Sequence, residues 1–146
     1  MRGLFSTAII AAIIFFGVGH FHDGSWNVGV MPQTPLFLYR TTSSRSTVRR
    51  LTGTAPGLEF TLGGQLRRGS ARLVVSYERP ESIQNQSQQA IPEEVVYELE
   101  IFAGQPLALA EYLDLGTGFY RFRFVFDDAT GRISLDLPTT YEASSN

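Results

Sequence analysis

The residues able to do chemistry are few, and their spacing suits little of it. The chain's two histidines, His20 and His22, flank Phe21 and are followed by Asp23. On an extended backbone, residues two apart project to the same side, so both imidazoles could face one ion with Asp23 assisting. A tight site needs three or four ligands, and there is no other histidine and no cysteine to complete it. No metal and no cofactor is therefore expected. The serines lack a histidine base away from this cluster, and no G-x-S-x-G motif occurs. Carboxylate pairs exist at Glu93-Glu94, Glu98/Glu100 and Asp127-Asp128. Acid–base hydrolysis of a glycoside needs two acids across a cleft, about 5–10 Å apart. Glu98 and Glu100 instead share one outward strand face, and Asp127-Asp128 lead into a turn. Gly63-Gly64 lies inside a strand pattern, which marks a bulge or a close backbone approach rather than a phosphate loop. These residues predict a protein that is not an enzyme, and no small-molecule ligand is expected.

What would position such groups begins with an apolar run at residues 3–19, GLFSTAIIAAIIFFGVG, preceded by the single basic residue Arg2. A helix crossing hydrocarbon needs about 20 apolar residues. Continued through His20 and Phe21, the run is at the short end of a span. Leu4, Phe5, Ile9, Ile10, Ile13, Ile14, Phe15 and Phe16 are its lipid-facing candidates. The expected division is an N-terminal membrane-anchor helix at 1–21, a juxtamembrane segment and linker at 22–57, and a β-sandwich domain at 58–146. After Arg2 no basic residue appears until Arg40. That asymmetry keeps the N-terminus in the cytoplasm and sends the rest across a bacterial inner membrane to its periplasmic side. His20, Phe21, His22 and Trp26 have the amphipathic rings that settle at headgroup level. The alternative is a signal peptide cleaved near Gly19, releasing a secreted carbohydrate- or peptide-binding module.

The composition is 43 % hydrophobic and 12 % aromatic, enough to build a core. With no cysteine, that core must hold by packing alone. All twelve basic residues are arginine, which reads as codon usage. Residues 1–80 carry nine arginines against three acids, and residues 81–146 carry three against eleven. Two halves lying side by side would neutralise each other. The stretch 41–50 is polar without apolar period, the composition of a loop. Its cations Arg45, Arg49 and Arg50, with Arg40 just before it, are candidate partner contacts, as are Glu98 and Glu100. The cations do not lie on an aromatic-studded sheet, so no nucleic-acid binding is expected. The expected partners are the lipid bilayer and other membrane-complex or envelope subunits.

From Leu58 the apolar residues recur at a period of two, the mark of strands with one buried face. Leu58, Phe60, Leu62 and Leu66 share one phase, and Ala71, Leu73, Val75 and Tyr77 the other. A hairpin would pair Leu62 with Val75 and Phe60 with Tyr77. The same logic makes a hairpin of Phe122, Phe124 and Phe126 with Ile133, Leu135 and Leu137. It pairs Phe126 with Ile133 and sets Arg123 opposite Asp136. Residues 107–115 are compatible with a helix or a strand, and a strand is preferred in an all-β setting. Six or seven short strands with Gly/Pro punctuation predict a mainly β fold, an antiparallel sandwich. The stretch Leu115-Gly116-Thr117-Gly118-Phe119-Tyr120 resembles the tyrosine corner of immunoglobulin- and fibronectin-like domains. That likeness implies a Tyr120 hydroxyl bonded back to the chain just upstream.

Overall fold

The computed structural model describes residues 19–22, 24–53, 57–78 and 94–137. They form eight antiparallel strands: β1 (Gly19–His22), β2 (Ser25–Val28), β3 (Leu36–Thr41), β4 (Ser44–Leu51), β5 (Gly57–Glu78), β6 (Glu94–Phe102), β7 (Pro106–Asp114) and β8 (Gly118–Asp136). The mainly β, antiparallel expectation holds, and 107–114 is strand. The anchor candidates Leu4 to Phe16 lie outside the described residues. Gly19–His22 is strand, so His20 and Phe21 do not extend a helix.

Two long strands, β5 with 22 residues and β8 with 19, run antiparallel at the centre of the sheet. The first half of β8 pairs with β4 and its second half with β3. The first half of β5 pairs with β7 and its second half with β6. The fold is thus four long ribbons, β3/β4, β8, β5 and β6/β7, each bent near its middle. One half-sheet is β4-β8-β5-β6. The other is β3-β8-β5-β7, extended at its edge by the β1–β2 hairpin. Folding at the bend brings the apolar faces of the halves together. Phe60 of one half meets Phe122 and Tyr97 of the other, each ring 5.5 Å away and edge-on.

Both predicted hairpins are corrected here. Leu62 pairs with Leu135 and Leu109, not Val75, and Tyr77 pairs with Tyr120, not Phe60. Phe124 lies beside Leu73 and Arg45, and Ile133 beside Gly64 and Leu36. Arg123 is flanked by Val74 and Ser46 rather than Asp136. The reason is a parity switch. Inward residues change from even to odd between Leu66 and Ala71, and between Phe126 and Ala129. A tight turn would produce that change, but so does one extra residue in a strand that runs on. Register shifts in β5 fall at Leu66/Arg68 and Arg68/Ser70, the positions of such bulges. The stretch 41–50, expected as loop, is mostly β4. It makes the same switch after Leu38, where the β3–β8 pairing also shifts.

The bulges line up as one corner, where displaced backbone groups find new partners. The Phe126 amide donates to the Ser43 carbonyl at 2.8 Å, and the Gly104 amide to the Leu66 carbonyl at 2.9 Å. Threonine hydroxyls take two more: Thr130 Oγ1 accepts from the Arg40 amide at 2.9 Å, and Thr42 Oγ1 from the Asp128 amide at 3.1 Å. Gly63-Gly64 is the close approach expected, since a Cβ on Gly64 would stand 2.1 Å from the Arg132 carbonyl oxygen.

The tyrosine-corner expectation also holds at the level of its bond. The Tyr120 hydroxyl donates to the Gly116 carbonyl at 3.0 Å, and the ring packs edge-on against Tyr77 at 5.5 Å. Tyr120→Phe should lower unfolding free energy by about 0.5–1.5 kcal/mol in a denaturant titration. Burial, then Tyr77, then Glu94 raise the Tyr120 pKa, while the unfolded phenol ionises near pH 10. The unfolded chain therefore releases this proton first. The contribution is whole below pH 10 and is lost as pH climbs above it. Alkaline unfolding curves should show that loss, and Tyr120→Phe should lessen it.

Candidate functional site

The candidate partner-binding residues divide by sheet face. In β4, direct pairing sets Arg45 beside Phe124 and Arg49 beside Tyr120, on the inward face. Arg45 is half-buried, and its Nε donates to Asn27 Oδ1 at 2.8 Å across the open edge of the sandwich. Burial lowers its pKa. Asn27 is itself only 3 % exposed. Arg45 is therefore engaged within the fold through its Nε, which is committed to Asn27. Glu111 is the counterpart on the opposite edge. It pairs with Phe60 on the inward face of β7, and it raises the Tyr97 pKa after burial, the larger cause. Inward charges on edge strands oppose further strand pairing, because a new strand would trap them away from water.

On the outer face of β4-β8-β5-β6 most charges are mutually occupied. Arg72 stands directly across from Glu100 but bonds Glu98, its Nη1 lying 3.2 Å from Oε1. Arg121 pairs with Glu78. At the corner Arg68 reaches Asp128 at 2.6 Å and Arg40 approaches the same carboxylate at 3.7 Å. Three of these four pairs set an arginine of 1–80 against an acid of 81–146, which is the expected mutual neutralisation of the two charge-biased segments, and Arg121–Glu78 crosses between them with the signs reversed. Exposed pairs of this kind contribute at most about 1 kcal/mol each. Arg50 lies over the Phe119 ring at 5.7 Å. A shallow groove of about 170 Å³ beside the corner is lined by Ser70, Arg72, Glu100, Phe102 and Asp127 among others. It falls short of the roughly 300 Å³ at which small-molecule pockets begin. Among the described residues, no cluster of three or more His, Asp or Glu could hold a metal ion.

The other outer face carries the most distinctive surface. One rung crosses the half-sheet as Gly19–Val28–Phe37–Arg132–Gln65–Pro106, and the next begins Phe21–Trp26–Tyr39. Trp26 stacks on Tyr39 with centroids 6.0 Å apart and planes 19° from parallel. Arg132 lies over the Phe37 ring at 5.9 Å. Phe37 is 47 % exposed, Tyr39 44 % and Val30 46 %. Trp26, Phe37 and Tyr39 form an aromatic ledge, and the residues named on these two rungs include no carboxylate. The sequence marks Trp26 by residue type, whereas it does not mark Phe37 and Tyr39 in that way. The alternation in Leu36-Phe37-Leu38-Tyr39 was the available signal, since burying both leucines turns both aromatics outward. The predicted interface residues His20, Phe21 and His22 fall in β1, paired with β2.

The fold and these surfaces define a small antiparallel β domain in which stacked rings lie at the β2–β3 end of one outer face and ion pairs cross the other. No protein-family model matches the chain. No curated protein matches it in sequence.

Proposed function

We propose that the chain is a non-enzymatic accessory or structural subunit, anchored through its N-terminal apolar run, ahead of β1, in a bacterial inner membrane with its β domain on the extracytoplasmic side. It works by contact with the bilayer and with other membrane-complex or envelope subunits. The aromatic ledge carries this proposal, because rings and aliphatic side chains left about half exposed on one face suit an interface better than open water. Inward charges on β4 and β7 disfavour docking through those two edges. That leaves the β1 and β6 edges and the faces for protein contacts, with Arg50, Glu98 and Glu100 the outward candidates. Within the all-β class, the Tyr120–Gly116 bond is a feature shared with immunoglobulin-like domains, whereas their two separate sheets are replaced here by one sheet in which β5 and β8 run through both halves.

Fractionation of the native protein tests the anchor. An intact N-terminus in the detergent-extracted membrane is expected, and a soluble chain starting near His20 would overturn it. That second result would favour the secreted module, for which the stacked Trp26–Tyr39 pair offers a sugar platform. Trp26 is the only tryptophan, so its emission would report such a ligand directly.

A further inference from the structure

Gly19 is both the last residue of the apolar run and the first residue of β1. No linker separates the segment assigned to the membrane from the sheet. The expected spacer at 22–57 instead supplies β2, β3 and β4, all hydrogen-bonded into the fold. A domain joined this way has little freedom to stand off from the bilayer, so the rung that begins at Gly19 is held near it. Gly19 pairs with Val28, and Val28 with Phe37. Two strand spacings place Phe37 about 10 Å from the point where the apolar run ends. The headgroup layer on each side of the hydrocarbon is itself about 5–8 Å deep.

We infer that the outer face of β2 and β3 is a bilayer-seating surface. Val28, Phe37 and Tyr39 enter the headgroup region together with Trp26, and Arg132 at the inner margin meets lipid phosphate. This rests on the membrane-anchor proposal and adds to it an orientation: the Phe37 face lies on lipid, and the charge-paired face of β4-β8-β5-β6 points away. Aromatic rings favour this layer because one side of the ring system can be apolar while the polar tip stays wet. An arginine beside them suits anionic lipid, and the residues named on these two rungs set no carboxylate against it.

The experiment reconstitutes the full chain into phosphatidylcholine vesicles, with and without phosphatidylglycerol. Flotation measures attachment, and Trp26 emission is read against lipids brominated near the headgroup end of the acyl chain. Floated protein should show blue-shifted emission that is quenched by the brominated lipid and shielded from aqueous iodide. The Phe37→Glu/Tyr39→Glu variant should still float but lose the quenching. Both replaced side chains are about half exposed, and an unchanged far-ultraviolet circular dichroism spectrum would show that the variant folds. Arg132→Gln should lose the added quenching that phosphatidylglycerol brings. Floated protein with unquenched, iodide-accessible Trp26 would overturn the seating surface while leaving the anchor intact. Failure to float would overturn both. A Trp26 response to sugars with none to lipid would also overturn the seating surface, in favour of a ligand platform.

Discussion

Replacing Phe60 by alanine should lower the unfolding free energy by about 3–5 kcal/mol, a large share of what a domain of this size has. Phe60 is fully buried. It also bridges the two half-sheets, edge-on to Phe122 in β8 and to Tyr97 in β6. Its removal leaves a cavity at the centre of the layer interface. The walls of that cavity are strands held by their own ladders, so they can close over it only in part. Denaturant unfolding should show an earlier midpoint with an unchanged slope. At a typical urea slope of about 1–3 kcal/mol per molar, the midpoint should move by more than about 1 M. Phe102→Ala is the control. The same side chain is lost from a position 53 % exposed, and the change should stay within about 0.5 kcal/mol. Equal costs at the two sites would mean that the halves do not pack through Phe60.

Gly69→Ala should be nearly as damaging for a different reason. Gly69 has φ +71, a conformation that alone costs an L-residue about 1–2 kcal/mol. A Cβ there would stand 2.3 Å from the Asp127 carbonyl oxygen and 2.4 Å from that of Asp128. Both oxygens belong to β8, so relief requires the two central strands to separate at the corner. Gly104→Ala separates the two effects. Gly104 has φ +88, yet nothing lies within 4 Å of its added Cβ. It should lose only the conformational part, about 1–2 kcal/mol, while Gly69→Ala should clearly exceed it. Matching losses would show that the backbones at the corner are not in close approach.

These two residues also mark where local pattern stops being informative. The alternation that places Phe60, Leu62, Phe122, Phe124 and Ile133 on buried faces is legible without any structure, because a strand's side chains alternate whatever it pairs with. The parity switches at 66–71 and 126–129 are legible too. What they mean is not, since a turn and a bulge both reverse the inward phase, and only the choice of neighbours distinguishes them. For 41–50, polar composition hid an edge strand. Its alternate residues face the sandwich margin, where Arg45 finds Asn27 instead of an apolar partner. Of the candidate contacts, Trp26 stands out by type, while the ledge around it depends on β2 and β3 lying side by side.

By itself the amino-acid order determined an all-β body, its apolar face, the bonded tyrosine near Gly116, and a greasy N-terminal run leading into it. Those follow from side-chain periodicity and local backbone chemistry, which act over a few residues. The tertiary structure alone decided that β5 and β8 run on through the corner rather than turning back. It alone decided that Phe60 joins the layers and that Phe37 and Tyr39 gather beside Trp26. Such outcomes depend on which distant backbone offers the matching row of donors and acceptors, and nothing within a single strand encodes the identity of its neighbour.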